Sequence, residues 1–146
     1  MPVKITAFDV DLVRGFLEGE DERIAPMLPY ISRNEVEGTG ILMYAMFVEA
    51  VHRRFTGSPR SDIIRFVANA RIRRGRNAPP INAANAEKLI IAALSGTRAE
   101  GLTDVEKAQQ IILLAELIED ERPTEDQLDA YLTVALQYAD HIAARL

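Results

Sequence analysis

The run Ile41-Leu42-Met43-Tyr44-Ala45-Met46-Phe47-Val48 is apolar without interruption, and wound as a helix it has no polar face. A helix that is hydrophobic all round is buried on most sides. The segment containing this run is therefore expected to be the central element of the fold. Its bounds are read as residues 34–56, because Asn34 is a suitable N-cap and Gly57 a suitable stop. The run falls far short of the roughly 20 apolar residues that cross a bilayer, so it marks a core helix.

Working outward, the N-terminal side offers a short helix over residues 9–18, with Val10, Val13, Phe16 and Leu17 on one side. Residues 3–8 are the one stretch that reads as extended, and a single strand makes no sheet. Pro26 and Pro29 interrupt residues 20–31, which read as a broken turn of helix. On the C-terminal side, Ser58-Pro59 reads as N-cap and first position of a helix over residues 59–74. Ile63, Phe66, Val67 and Ala70 share one face of it. Residues 75–81 (Gly-Arg-Asn-Ala-Pro-Pro-Ile) form a loop, and Asn82 caps a helix that packs through Leu89, Ile90 and Leu94 and ends before Gly96.

Two capping boxes follow, Thr103-Asp104-Val105-Glu106 and Thr124-Glu125-Asp126-Gln127. In each, side chain and backbone satisfy one another's free donors at a helix start. The first opens a helix to about residue 119 that carries a second apolar run, Ile111-Ile112-Leu113-Leu114. Pro123 separates it from the last helix, residues 124–146, where Leu128, Leu132, Ala135, Ala139, Ile142 and Leu146 recur at three- and four-residue steps. The expected fold is all-α: one compact domain over residues 1–146, a bundle of about six helices with residues 34–56 and 103–119 inside.

Composition excludes several chemistries. The chain has no cysteine, which rules out disulfides, thiolate nucleophiles and Cys-ligated metal sites. Lys4, Asp9, Asp11 and Arg14 interrupt the N-terminus, unlike a signal peptide, and a cytoplasmic protein with no membrane association is expected. Fourteen arginines against three lysines, with abundant alanine, is the usage expected of a GC-rich bacterial genome.

Charge is distributed unevenly. Residues 1–52 hold four basic and nine acidic side chains, and residues 99–146 hold three and eleven. Residues 53–76, in contrast, hold eight basic and one acidic, in a chain whose net charge is −5. Arg53, Arg54, Arg60, Arg65, Arg73 and Arg76 are the candidate contacts to a polyanion or a partner. Arg65, Asn69, Arg73 and Arg76 fall in one arc of a helix, opposite Ile63, Val67 and Ala70, and such an arc could track phosphates. No aromatic residue stands among them for base stacking, and pairing with acidic neighbours explains the same residues. A helix-turn-helix is disfavoured because the seven-residue connector with Pro79-Pro80 is too long and stiff for its turn.

Glu49-x-x-His52 has the spacing of a carboxylate-bridged di-metal site. A full site needs a second such pair, and the only other histidine, His141, has Tyr138 in the corresponding place. A reduced set of Glu49, His52 and Glu116 is the remaining arrangement; the alternative is that Glu49 pairs with Arg53 and His52 caps the core edge. Gly38-x-Gly40-x-x-Met43 lacks the third glycine of a dinucleotide fingerprint. Asp9-x-Asp11 is followed by Val13 and Arg14 where a calcium loop needs an oxygen ligand and a glycine. No phosphate loop or nucleophile elbow occurs. No cofactor, catalytic residue or metal ligand is assigned.

The last helix bears on partners. Tyr131, Val134, Leu136 and Tyr138 widen its apolar arc to about 200°, more than one core contact requires, and they are the candidate homodimer interface. The leading expectation is a non-enzymatic helical interaction or regulatory module that self-associates and binds another protein. The alternatives are a nucleic-acid or polyanion binder through residues 53–76, and a small-molecule or metal enzyme using Glu49 and His52.

Overall fold

The structure, a computed structural model, describes residues 4–18, 37–74, 81–96 and 104–144. All regular structure among them is α-helical. The helices are α1 (Ala7–Leu17), α2 (Glu37–Phe55), α3 (Arg60–Arg74), α4 (Ala83–Ser95), α5 (Asp104–Glu121) and α6 (Glu125–Ala143). The expected Asn34 and Thr103 caps, the turn at Pro26 and Pro29, and most of the 75–81 loop lie outside the described residues. None of the described helices is long and apolar enough to cross a membrane.

The uninterrupted apolar run does what its composition requires. Leu42, Met46, Phe47 and Val51 are buried, and α2 packs against α1, α4, α5 and α6. One hydrophobic core takes side chains from all six helices, from Val13 and Leu17 of α1 to Leu128, Leu132 and Ala139 of α6. In α5, Leu113 and Leu114 are fully buried while Ile111 and Ile112 are half-covered. Helix α3 lies further out. It packs chiefly on α4, through Ile63, Phe66, Val67 and Ala70, and the Phe66 ring meets Phe55 edge-on at 5.5 Å.

Local chemistry sets the helix ends. Gly57 and Gly96 take the left-handed conformation at φ 78° and 70°, which costs glycine nothing. Asn82 accepts a hydrogen bond from the Asn85 amide, and Thr124 and Gln127 form the reciprocal capping box. Residues 7 and 8 correct the expected extended segment: α1 begins at Ala7, because Thr6 and Asp9 form a capping box with Asp in the place of Glu or Gln.

Asp9 also locks α1 to α2. Its carboxylate is buried and accepts hydrogen bonds from the Thr6 amide (2.8 Å), the Thr6 hydroxyl (3.0 Å) and the buried Thr39 hydroxyl (2.7 Å). Gly38 is what permits this approach, since a Cβ there would collide with the Asp9 carboxylate.

Candidate functional site

The basic segment divides into two faces. The inner face begins at the end of α2. Arg53 donates from Nε and Nη2 to the two oxygens of Glu121 (3.0 and 2.8 Å) and from Nη1 to Glu49 (3.2 Å). Its guanidinium lies 3.4 Å from the centroid of the Tyr131 ring, and the Tyr131 hydroxyl donates to Glu121 (2.9 Å). Arg54 donates to Asp120 (3.1 Å). Arg73 of α3 reaches the same end of α5, meeting Glu116 at 2.9 Å and Asp120 at 3.5 Å.

These pairs have a local cause. Helix α5 ends in Glu119-Asp120-Glu121 with no basic residue in its last turn. Carboxylates there oppose the helix dipole, and Arg53, Arg54 and Arg73 offset them from outside the helix. Burial disfavours the Glu121 charge, but the hydrogen bonds from Arg53 and Tyr131 outweigh it and hold the carboxyl below its ordinary range. Burial likewise works against the Arg53 charge, and Glu121 and Glu49 raise its affinity for the proton despite this. Burial and the Glu121 carboxylate together push the Tyr131 phenol up.

Beside this cluster, Arg54, Asp62, Arg65, Phe66, Asn69, Arg73 and Asp120 line a small cleft open to solvent. The arc of Arg65, Asn69 and Arg73 expected from the sequence is thus assembled on one side of α3. Arg54 and Arg73 share Asp120, however. Arg65 extends into solvent with Asp62 no closer than 4.0 Å. An anion entering the cleft would find Arg65 and Asn69 as its open donors. Arg76 lies outside the described residues.

The outer face of α3 differs. Arg60 and Arg71 are exposed, and neither forms an ion pair among the described residues. Between their row and Arg65 run Ile64, Ala68 and Ile72, all exposed, with Ile72 at 78% and Ile64 at 49%. Spacing of four and eight residues sets these three within an arc of about 80° on a helix. This ridge and Arg71 were missed in the sequence reading. The available signal was that two isoleucines cannot join the stripe of Ile63, Phe66, Val67 and Ala70 already assigned to the core.

Glu49, His52 and Glu116 are drawn to separate partners. Glu49 accepts from Arg53, and Glu116 meets Arg73. The His52 Nε2–H donates to the Ala93 carbonyl (3.1 Å), and Nδ1 faces the Thr56 hydroxyl at 3.5 Å. Among the described residues, no three His, Asp or Glu side chains are grouped closely enough to hold a metal ion.

The wide apolar arc of α6 also divides. Tyr131 and Leu136 pack against the core. Val134 and Tyr138 stay exposed, the Tyr138 ring 6.5 Å from that of Tyr44. Ala130, one turn before Val134, is exposed as well. Compared with known proteins, the chain matches no family model, and no curated protein or solved structure is significantly similar to it.

Proposed function

We propose that this protein is a non-enzymatic helical interaction module that docks other protein surfaces through the outer face of α3. The observation that carries the reading is the ridge of Ile64, Ala68 and Ile72 between Arg60, Arg71 and Arg65. Large aliphatic side chains in water gain from being covered, at roughly 25 cal/mol per Å² of apolar surface removed. A helix that shows such residues at i, i+4 and i+8 offers the anchors by which helices pack into partners. The arginines on both sides favour an acidic partner and speed its approach. Of the groups with the best claim to chemistry, His52 and Glu116 are engaged in contacts that join helices, and Glu49 pairs with Arg53 one turn further along α2.

Affinity capture with the immobilised full chain tests the reading. Proteins retained by the wild type should be lost from Ile64→Asp/Ile72→Asp and kept by Glu125→Gln, an exposed change on another helix. Identical retention by all three chains would overturn it.

A further inference from the structure

Ala68 lies at the centre of the outer face of α3. On a helix, the surface neighbours of a residue are those three and four positions away, here Ile64, Arg65, Arg71 and Ile72. All five are exposed. Alanine ends at its methyl group, and the four longer side chains stand around it, so the ridge has a depression at its midpoint. The isoleucines occupy one diagonal of that depression and the arginines the other.

A hole bounded by four residues of one helix receives a single large side chain of a facing helix. Here the floor is a methyl group and two corners are aliphatic, which suits an apolar knob. The other two corners are guanidiniums with no close carboxylate. Arg71 forms no ion pair among the described residues, and Arg65 comes no nearer to Asp62 than 4.0 Å. Asp62 is the only acidic residue of α3, and it lies about 120° round the helix from Ala68. The positive charge at the rim is therefore left for the occupant to match, and guanidiniums pair with carboxylates through two parallel hydrogen bonds.

A second copy of this chain does not supply that combination. Outside the ridge, the large apolar side chains exposed among the described residues are Phe8, Val134 and Tyr138. Phe8 has one lysine and one aspartate at the flanking positions, Lys4 and Asp11, and Val134 and Tyr138 have no carboxylate there. A bilayer surface gains from apolar side chains that project into it, and a depression gives it nothing to fill.

We infer that the outer face of α3 receives an amphipathic helix of another protein. One large apolar side chain of that helix sits over Ala68 between Ile64 and Ile72, and carboxylates one turn to either side pair with Arg65 and Arg71. This rests on the reading of α3 as a docking surface and adds the chemistry of the partner.

The probe is a stapled helical peptide of roughly 15 residues, with one leucine and with glutamates three and four positions to either side of it. Fluorescence anisotropy should show saturable binding to the full chain, with a Kd below about 1 mM. Ala68→Gln fills the depression with an uncharged polar side chain and should weaken binding on the order of tenfold. Ala68→Ser, which keeps the depression open, should leave binding unchanged. Arg65→Glu/Arg71→Glu should lose the glutamate peptide and bind its lysine counterpart, a gain that a misfolded chain would not show.

No binding of the glutamate peptide by the wild type, or equal binding by Ala68→Gln, would overturn the inference. So would sedimentation of the wild type with phosphatidylglycerol vesicles in place of peptide binding. In that event, loss of captured proteins on Ile64→Asp/Ile72→Asp would leave the docking reading standing with a partner of other chemistry. Unchanged capture would remove both.

Discussion

Arg53 and Arg71 belong to the same basic segment, yet they meet different surroundings. Arg53 is tied to two carboxylates and an aromatic ring across three helices. Arg71 projects from α3 and forms no ion pair among the described residues. Arg54 and Arg73 follow the first pattern and Arg60 the second, while Arg65 projects into solvent with only a long contact to Asp62. The inner residues neutralise the acidic end of α5, while the outer ones border an apolar ridge. A single basic segment thus contains a clamp and a solvent-exposed face, and its net charge of +7 overstates what a ligand would meet.

The largest effect that would break this comparison is on stability. Arg53→Ala should cost about 2–3 kcal/mol, between the range for exposed pairs and that for buried ones, because it strands two carboxylates and uncovers Tyr131. Arg71→Ala should stay within about 0.5 kcal/mol of wild type. Urea denaturation of the two variants measures both, and equal losses would erase the distinction between the faces.

Double-mutant cycles sharpen it further. The Arg73–Glu116 pair, whose carboxylate is nearly buried, should show a coupling of about 1–2 kcal/mol. The Arg65–Asp62 pair, long and exposed, should show about 0–0.5 kcal/mol. Coupling of the same size in both cycles would mean that the cleft binds its arginines uniformly.

A smaller effect lies in the pH dependence. The Glu121 carboxyl is held below its ordinary range, so it releases its proton more readily in the folded than in the unfolded chain. Its contribution is complete above the unfolded value, near 4.3, and is lost as pH falls through the lower folded value. Arg53→Ala should therefore flatten the acid-side decline of stability, and Arg71→Ala should leave it unchanged. Denaturation midpoints from neutral pH down to about pH 3 test this.

The smallest expected signal is nucleic-acid binding. With Arg53, Arg54 and Arg73 engaged and the rest of the chain acidic, too few free arginines remain among the described residues to release counterions on the scale that affinity requires. Fluorescence anisotropy with labelled DNA and RNA should detect no complex at physiological salt. A micromolar complex there, weakened by Arg60→Ala/Arg71→Ala, would recast the outer face as a phosphate track.

What the sequence by itself determined was local. Helix phase and end chemistry act over four or five residues, so the all-α class, the burial of the 41–48 run, the Asn82 and Thr124 caps and the Gly57 and Gly96 stops were all legible from it. The α1 start escaped because Asp, not Glu or Gln, completes the box at Thr6. Tertiary structure decided which arginines are spent. Arg53 and Glu121 are 68 residues apart, and periodicity carries no information over that distance; only the packing of α2 beside α5 and α6 brings them together. The same packing turned Tyr131 and Leu136 inward and left Val134, Tyr138, Ile64 and Ile72 in solvent. A helix pattern says which residues share a face, whereas what covers that face depends on where the other helices run.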